Sequence, residues 1–471
     1  MKNWIKRRLP VAVGGVLAVV GGGLLALSYS GCAGNEVKEA KVDRADPVCN
    51  CTDDVSVKFG PTVPGDLLFF SSQDDVDCFA WSEFVALNWP TSGGFGDSLD
   101  TSPVQWETYM PGDVLYSKDG TAPPPWGSTL VPRAFAAQAS LLRLPEKTKI
   151  LHFSTKFEDI SAGSIRFSTG QAAPQDGPNW LGAQNGTNVW YEILVNKDIY
   201  DYVVRTHFYD ARAQVDSARK GIPVNFPAGM YNSNVTGAIE LKAAWMEVTD
   251  LANPKWKRYK LSKAEVQDAN TGQLRAVTVA LVGLHILHKT ANQKTWVWAT
   301  FEQVDNVPDA TRKKGDFNFY NDHCDTCRSN VPPTYYLRAG GPKPVPIQIT
   351  RVYPLDTTAV HYNKVMQTAI ADRYPHSVWQ YYELVDALWN NGSQPVTNDT
   401  LSAPFPMNNP AMAPSTVYHP VANTTMESYI QQLTCTGCHT GARIAPVPGD
   451  TMKTFSDFSF LIGTAGASKK H

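Results

Sequence analysis

Two cysteines and a histidine near the C-terminus constrain this chain more than any other stretch, because residues 435 to 439 read Cys-Thr-Gly-Cys-His. This C-x-x-C-H spacing is that of covalent c-type haem attachment. Each thiol can add across one vinyl group of the porphyrin, and His439 then supplies the proximal ligand to the iron. The alternative is a short disulfide followed by an unrelated histidine. We expect one covalent haem c, held by Cys435, Cys438 and His439.

The residues just before the motif predict a helix that would present both cysteines. Thr424 is a candidate N-cap, with Glu427 three residues later. Apolar residues then recur at helical spacing: Met426, Tyr429, Ile430 and Leu433. After the motif, aromatic residues of the stretch 455–461 are expected to cover a porphyrin edge.

The first thirty residues predict export. Four basic residues within positions 2–8 precede an apolar stretch at 11–27, and Ser30 and Gly31 then lead into Cys32. This pattern is typical of a bacterial lipoprotein signal, although Tyr29 stands where an aliphatic residue is usual. An uncleaved anchor helix and cleavage by an ordinary signal peptidase are the alternatives. We expect lipidation of Cys32, membrane attachment through that N-terminal lipid only, and a body in the periplasm or at the cell surface.

Charge and composition narrow the class of protein. Among 471 residues, 42 basic side chains are balanced by 44 acidic ones, which gives no indication of a basic patch, so we expect no nucleic-acid partner. Thirteen Trp, 19 Tyr, 33 Pro and 34 Gly favour a loop-rich, mainly β protein with some α-helix. We predict a signal peptide (1–32), a tether (33–65), a sandwich-like β-rich body with short helices (66–422), and a haem-binding helical segment (423–471) packed on the body.

Local patterns predict the elements of this body. Alternation predicts a strand at 239–246, and two apolar runs at 277–288 and 295–302 predict a hairpin. A further strand is expected at 347–353. Apolar residues at helical spacing predict helices at 78–89, 360–370 and 377–389, the first of them ended by Pro90. Residues 390–422 are rich in Pro, Asn and Ser and are expected to form a surface coil.

Five stretches together resemble a family of exported, largely uncharacterised monohaem cytochrome c-like bacterial proteins. They are Trp81–Pro90, Gln105–Tyr109, Gly283–Thr290, Trp296–Pro308 and Asn423–Tyr429, the last running into the haem motif. The resemblance implies a single haem at the C-terminus of a large β-rich body, and it supplies no substrate. In that family a histidine commonly follows the glutamate of the Thr-Phe-Glu sequence. Here Gln303 occupies that place, so the resemblance implies no ligand there.

The sixth ligand of the iron has two candidates. Met452 is the one methionine that follows His439, and a loop containing Pro446, Pro448 and Gly449 could bring it around the haem edge. His285 lies in an apolar run, where a buried imidazole needs a partner. We select His285 as the distal candidate, although a hydrogen bond to a neighbouring strand or side chain would equally satisfy it. His288 has the same chemistry but lies nearer the polar end of the hairpin.

The other cysteines predict disulfide bonds. Cys324 and Cys327 form a second C-x-x-C, but Arg328 replaces the histidine, so this is not a second haem site of the usual kind. We predict a local disulfide, with a metal site that includes His323 or a redox-active dithiol as alternatives. Either Cys49 or Cys51 is a candidate partner for Cys78, which leaves one thiol over.

These patterns leave three function classes. The motif favours an electron-transfer cytochrome with an unknown redox partner. A haem-dependent peroxidase or oxygenase with an open sixth position is the alternative, and a binding module with an accessory haem is the third. A minimal cytochrome c needs only about 100 residues, so the large body argues against a simple shuttle. No nucleophile elbow or nucleotide-binding loop occurs, and no catalytic residue is identified. Glu302 is either a buried proton donor or an anchor for a turn, and we favour the anchor.

Overall fold

The computed structural model describes residues 47–50, 56–153, 180–268, 271–293, 295–309, 312, 314–331, 346–389, 420–432 and 434–469. The predicted signal peptide with Cys32, most of the tether, and most of the predicted surface coil therefore lie outside the described residues. Among the helices that are described, none combines the length and apolar character needed to cross a membrane.

The strands occur mostly in the middle of the chain. They are β1 (Pro47–Asn50), β2 (Ser56–Lys58), β3 (Met110–Pro111), β4 (Ile150–Leu151), β5 (Val189–Val195), β6 (Ile239–Glu247), β7 (Leu261–Gln267), β8 (Leu274–His288), β9 (Val297–Gln303) and β10 (Tyr382–Leu388). The strands predicted at 239–246, 277–288 and 295–302 are confirmed as β6, β8 and β9. The mainly β class with additional helices is confirmed.

The described strands form one large sheet and one separate pair. Eight strands build the sheet, in the order β10-β9-β8-β6-β5-β3. Strand β7 pairs with the first half of β8, and β9 pairs with the second half of β8 along the same edge. Strand β4 pairs with β7, and this is the one parallel pair among the described strands of the sheet. Strands β1 and β2 form the separate antiparallel pair. The body is therefore organised around one sheet, with other elements covering its two faces.

The described helices are short apart from two. They are α1 (Gln73–Leu87), α2 (Gly112–Leu115), α3 (Ala136–Leu141), α4 (Lys197–Thr206), α5 (Ala211–Arg219), α6 (Thr357–Arg373) and α7 (Cys435–His439). Single 3-10 turns cover Gln105–Thr108, Arg133–Phe135, Pro254–Arg258, Val378–Tyr381 and Leu461–Thr464. The helices predicted at 78–89 and 360–370 are confirmed as α1 and α6.

Helix α1 covers one face of the sheet, which we call the helix face. It begins with a capping box in which the Ser72 side chain accepts from Asp75 and the Asp75 side chain accepts from the Ser72 backbone. Trp81 and Phe84 then pack on Phe301 of β9, with ring centroids 5.1 and 4.2 Å away. These rings are almost fully buried, and aromatic pairs of this kind stabilise a core beyond their buried area.

The C-terminal segment 420–469 packs on part of the opposite face of the sheet, which we call the C-terminal face. Because side chains alternate along a strand, Gly283 and His285 of β8 share this face with Trp298, Thr300 and Glu302 of β9. Asn423 bonds to Thr300, Thr424 bonds to Glu302, and His439 packs on Trp298. The predicted haem-binding segment thus lies against the sheet.

Two helix predictions and one strand prediction are wrong. Residues 382–388 have helical spacing of apolar side chains, but they form β10 at the sheet edge because pairing with β9 outweighs local preference. Residues 423–432 form consecutive turns instead of a helix, and within the described part of 423–439 only Cys435–His439 is helical. Residues 347–353 are all described, and none of them forms a strand.

Candidate haem-attachment site

The loop before the motif is fastened to the C-terminal face by buried hydrogen bonds. The backbone nitrogen and hydroxyl of Thr424 donate to the two carboxylate oxygens of Glu302, at 2.6 and 2.5 Å. The Asn423 amide donates to the Thr300 hydroxyl and to the Phe301 carbonyl, at 3.0 and 2.8 Å. These bonds to the sheet take the place of helical ones, which explains why the predicted helix is absent.

A glycine of the sheet permits this close approach. A Cβ atom on Gly283 would lie 2.2 Å from the Thr425 hydroxyl and 3.0 Å from the Asn423 side chain. Only a residue without a side chain lets the loop lie this close to β8. The loop therefore has one register on the sheet, and Cys435 of the motif follows Thr425 ten residues later.

Glu302 acts as an anchor in this arrangement. Besides the two bonds from Thr424, its carboxylate accepts from the guanidinium of Arg351 at 3.1 Å, and both side chains are buried. Arg351 also lies 3.6 Å from Glu383. The carboxylate is fully engaged, in agreement with the structural role that we favoured for it. It anchors the loop at Thr424 rather than the turn at Asp305 and Asn306.

His439 is oriented by one hydrogen bond and two aromatic rings. Its Nδ1 lies 2.8 Å from the carbonyl oxygen of Phe458. A carbonyl can only accept, so Nδ1 carries the proton and Nε2 carries the lone pair. The ring packs edge-on against Trp298 at 4.6 Å and against Phe460 at 4.9 Å between centroids. Nε2 makes no hydrogen bond to any residue that the structure describes.

The surroundings keep the His439 imidazole neutral. The pKa of His439 is lowered to about 4, chiefly by burial and also by the neighbouring His285 and Lys242, against the opposing effects of the Phe458 carbonyl and Glu427. A neutral imidazole with one nitrogen fixed by a carbonyl is the form in which histidine binds a metal.

The two cysteines of the motif are thiols, partly buried beside this histidine. Burial raises the pKa of the Cys435 thiol far above its ordinary value, and negative charge on Glu427, Cys438 and Asp386 adds to this. Over the described ranges, no three His, Cys, Asp or Glu side chains are grouped to hold a metal ion.

These donors fit a covalent haem. The chemistry requires two cysteine thiols at C-x-x-C spacing, a neutral histidine with an uncommitted Nε2, and apolar surroundings. Cys435, Cys438 and His439 meet the first two requirements. Trp298, Phe458 and Phe460 supply apolar surface beside the ring.

His285 lies on the same face of the sheet as the motif. It stands opposite Lys242 of β6 on one side and Thr300 of β9 on the other. Its Nε2 lies 3.4 Å from the Glu427 carboxylate, and its ring is partly exposed. A contact with a side chain was the alternative to ligation, and Glu427 provides it, so the role of His285 as a distal ligand stays a prediction.

His288, three residues farther along β8, points to the helix face. It is fully buried, its Nδ1 pairs with Glu83 of α1, and its Nε2 donates to the Thr236 carbonyl at 2.6 Å. Both ring nitrogens are therefore engaged, on the side of the sheet away from the motif.

Met452 lies in the loop that follows the motif. This loop returns through backbone bonds from Ile444 to Thr454 and from Ser456 to Ala442, and near its tip Asp450 pairs with Arg219 of α5. The Met452 side chain is partly buried and packs against the main core. Its role as the alternative sixth ligand also stays a prediction.

The second C-x-x-C differs from the motif. Cys324 and Cys327 are joined by a disulfide bond with a Cα–Cα distance of 5.5 Å. The His323 side chain beside it is 91% exposed and lies 3.3 Å from the neighbouring Asp322 carboxylate. Cys78 is also disulfide-bonded, to a sulfur atom outside the described side chains.

Sequence reasoning missed three side chains near the motif. Lys242 and Asp386 lie close enough for their charges to act on His439 and Cys435 respectively, and Glu240 binds Ser459 beside the aromatic residues that hold His439. Glu240 and Lys242 are two positions apart in the predicted strand 239–246, so both side chains lie on the same face of that strand. This spacing is the one sequence signal that could have indicated a polar face there.

Comparisons with models of known protein families, with curated proteins and with solved structures find no match for this chain.

Proposed function

We propose that this protein is an exported monohaem c-type cytochrome that transfers electrons. The observation that carries the proposal is the C-x-x-C-H motif whose histidine donates Nδ1–H to the Phe458 carbonyl, which leaves Nε2 with the lone pair that a metal would need. The resemblance to exported cytochrome c-like proteins supports it from the sequence alone.

The chain's residues have separate tasks in this proposal. Cys435 and Cys438 form the covalent links, and His439 provides the proximal nitrogen. When bound, haem supplies an iron centre that accepts and returns one electron. The partial exposure of all three residues favours electron exchange with a docked redox protein. Glu302 and Gly283 act indirectly, because they hold the preceding loop on the sheet.

Covalent attachment is tested on the purified, exported protein. Haem should remain with the polypeptide through acid–acetone extraction and should stain for peroxidase activity in a denaturing gel. Haem that extracts freely from the wild type would overturn the proposal.

A haem enzyme with an open sixth position is the second candidate, and the cluster beside the motif favours it. His285, Glu427 and Lys242 bring an imidazole, a carboxylate and an ammonium group together on the C-terminal face, the group types used in proton transfer. Rapid binding of CO to the ferrous protein would favour the enzyme. A low-spin spectrum that is altered by His285→Ala would favour electron transfer with two histidine ligands. A far-red charge-transfer band that is lost in Met452→Ala would replace His285 by Met452.

Export and lipid attachment form a separate part of the proposal. Cys32 follows a basic stretch, an apolar stretch and two small residues. The wild type should sediment with membranes, and Cys32→Ser should release it into the soluble fraction. A soluble wild type whose N-terminus lies beyond Cys32 would show that the lipid is absent.

A further inference from the structure

The turn that orients His439 has an unusual backbone. Asp457 and Phe458 are consecutive residues with φ of 51° and 68°, and neither is glycine. This left-handed conformation is uncommon for residues with side chains, and it persists only where the surroundings hold it in place. Both residues are buried, at 1% and 4% exposure, so solvent does not stabilise the turn.

The result of this turn is the direction of one carbonyl group. The Phe458 oxygen points at Nδ1 of His439, 2.8 Å away, and the Phe460 ring two residues later packs against the same imidazole. The backbone conformation and the orientation of the histidine are therefore parts of one arrangement.

A buried ion pair holds the first residue of the turn. The Asp457 carboxylate accepts from the Lys289 ammonium at 2.5 Å and from the backbone nitrogen of Phe226 at 2.8 Å. Lys289 also donates to the Asn225 side chain at 2.9 Å. The side chains of Lys289 and Asp457 are 1% and 0% exposed, and a charge pair this deep is retained only where its partners fit closely.

A second buried carboxylate holds the other end. The Ser459 hydroxyl donates to Glu240 of β6 at 2.7 Å, while Ser456 closes the turn with a bond to the Ser459 carbonyl, also at 2.7 Å. Lys242, Ser459 and Tyr116 interact electrostatically or by hydrogen bonding with the Glu240 carboxylate. Phe458 thus lies between two side chains that are each fixed to the body of the protein.

We propose that residues 456–459 form a proximal clamp, in which Asp457 and Ser459 are positioning residues that fix the hydrogen bond from His439 to the Phe458 carbonyl. This inference rests on the proposed haem function. The clamp strengthens electron donation by the imidazole, because a held Nδ1–H···O bond makes the ring more basic. The clamp therefore stabilises the ferric state and lowers the reduction potential.

The test uses the full-length protein carrying its haem, with Asp457→Asn and Ser459→Ala. The first removes the carboxylate charge at nearly constant size, and the second removes only the bond to Glu240. We expect both to shift the reduction potential in the positive direction, with about a tenfold change in the equilibrium constant for reduction. We also expect faster solvent exchange of the His439 Nδ1 proton, measured by NMR of the ferrous protein.

Glu192→Gln is the matched control. Glu192 also accepts a hydrogen bond from a buried lysine, Lys149, at 2.6 Å. It stands opposite Ala243, however, and so belongs to the helix face. It should lower stability without moving the potential or the exchange rate. Variants of Asp457 and Ser459 that lose stability but keep the wild-type potential and exchange rate would overturn the clamp.

Two further outcomes are decisive. If Asp457→Asn does not fold, Ser459→Ala decides alone, because it leaves the ion pair intact. If the wild type carries no covalent haem, the proposed function fails, and exchange of the His439 Nδ1 proton in the thiol protein still tests the clamp.

Discussion

The chain contains two C-x-x-C sequences, which differ in their surroundings and in the state of their cysteines. Cys324 and Cys327 lie in an exposed turn and are joined by a disulfide bond. Cys435 and Cys438 lie in a short helix on the C-terminal face and are thiols. The histidines differ as well, because His323 precedes the first pair and is 91% exposed, whereas His439 follows the second and packs between Trp298 and Phe460.

The difference shows that the spacing of two cysteines decides which bonds their sulfur atoms can reach. The surrounding residues decide which of those bonds forms. Two residues between cysteines permit either a disulfide or two links to one porphyrin. The order of residues and the packed histidine distinguish the two. At the first pair, Arg328 follows in place of histidine, and the loop has little apolar cover.

Substitution of each cysteine pair gives the largest expected contrast. Cys435→Ala with Cys438→Ala should abolish covalent haem staining completely, because both links are lost. Cys324→Ala with Cys327→Ala should leave the staining unchanged and serves as the matched control. Equal loss of staining in both double variants would show that the two pairs do not differ as we describe.

Substitutions beside the two cysteine pairs should also differ in their effect on the free energy of unfolding. Glu302→Ala removes the carboxylate that holds Thr424 and leaves Arg351 poorly paired, so we expect a loss of about 3 kcal/mol in the free energy of unfolding. His323→Ala should change it by less than about 0.5 kcal/mol, because that side chain is exposed. Urea unfolding measures both. Similar values for the two variants would contradict the anchoring role of Glu302.

Removal of the Cys324–Cys327 disulfide should have a smaller effect. The two residues are three positions apart, so the bond closes a short loop and stabilises by only about 2 kcal/mol. Mass mapping without reductant should find this peptide two hydrogens lighter than the dithiol. Stoichiometric zinc in the purified protein, lost in Cys327→Ser, would instead favour the metal site.

Acid should destabilise the haem-free protein through His439. The pKa of His439 is about 4 in the folded chain against an ordinary value of 6.5, and neither cysteine is among the causes of this shift, so we expect the same in the Cys435→Ala, Cys438→Ala variant. The unfolded chain therefore binds the proton first, and stability that is present above pH 6.5 is lost as the pH falls towards 4. We expect a loss of about 1–2 kcal/mol, given the partial exposure of the ring. Adding His439→Gln should flatten this part of the pH profile, and an unchanged slope would contradict the burial effect.

Local sequence was enough to predict much of the sheet. Helices α1 and α6 and strands β6, β8 and β9 follow from periodicity, because each runs for several residues with one consistent pattern. Residues 377–389 show where this fails. Their spacing suits a helix, yet an edge of β9 was available for pairing, and only the folded sheet provides that edge.

The candidate site divides in the same way. The sequence by itself determined the order Cys-x-x-Cys-His and the chemistry that order permits, since spacing and residue type are properties of the chain. Which of His285 and His288 faces the motif was decided only by tertiary structure, because a strand turns residues three apart to opposite faces. The turns at 423–432 and the clamp at 456–459 were also decided there. Both depend on buried partners, Glu302 in one case and Lys289 and Glu240 in the other, that lie more than a hundred positions away in the sequence.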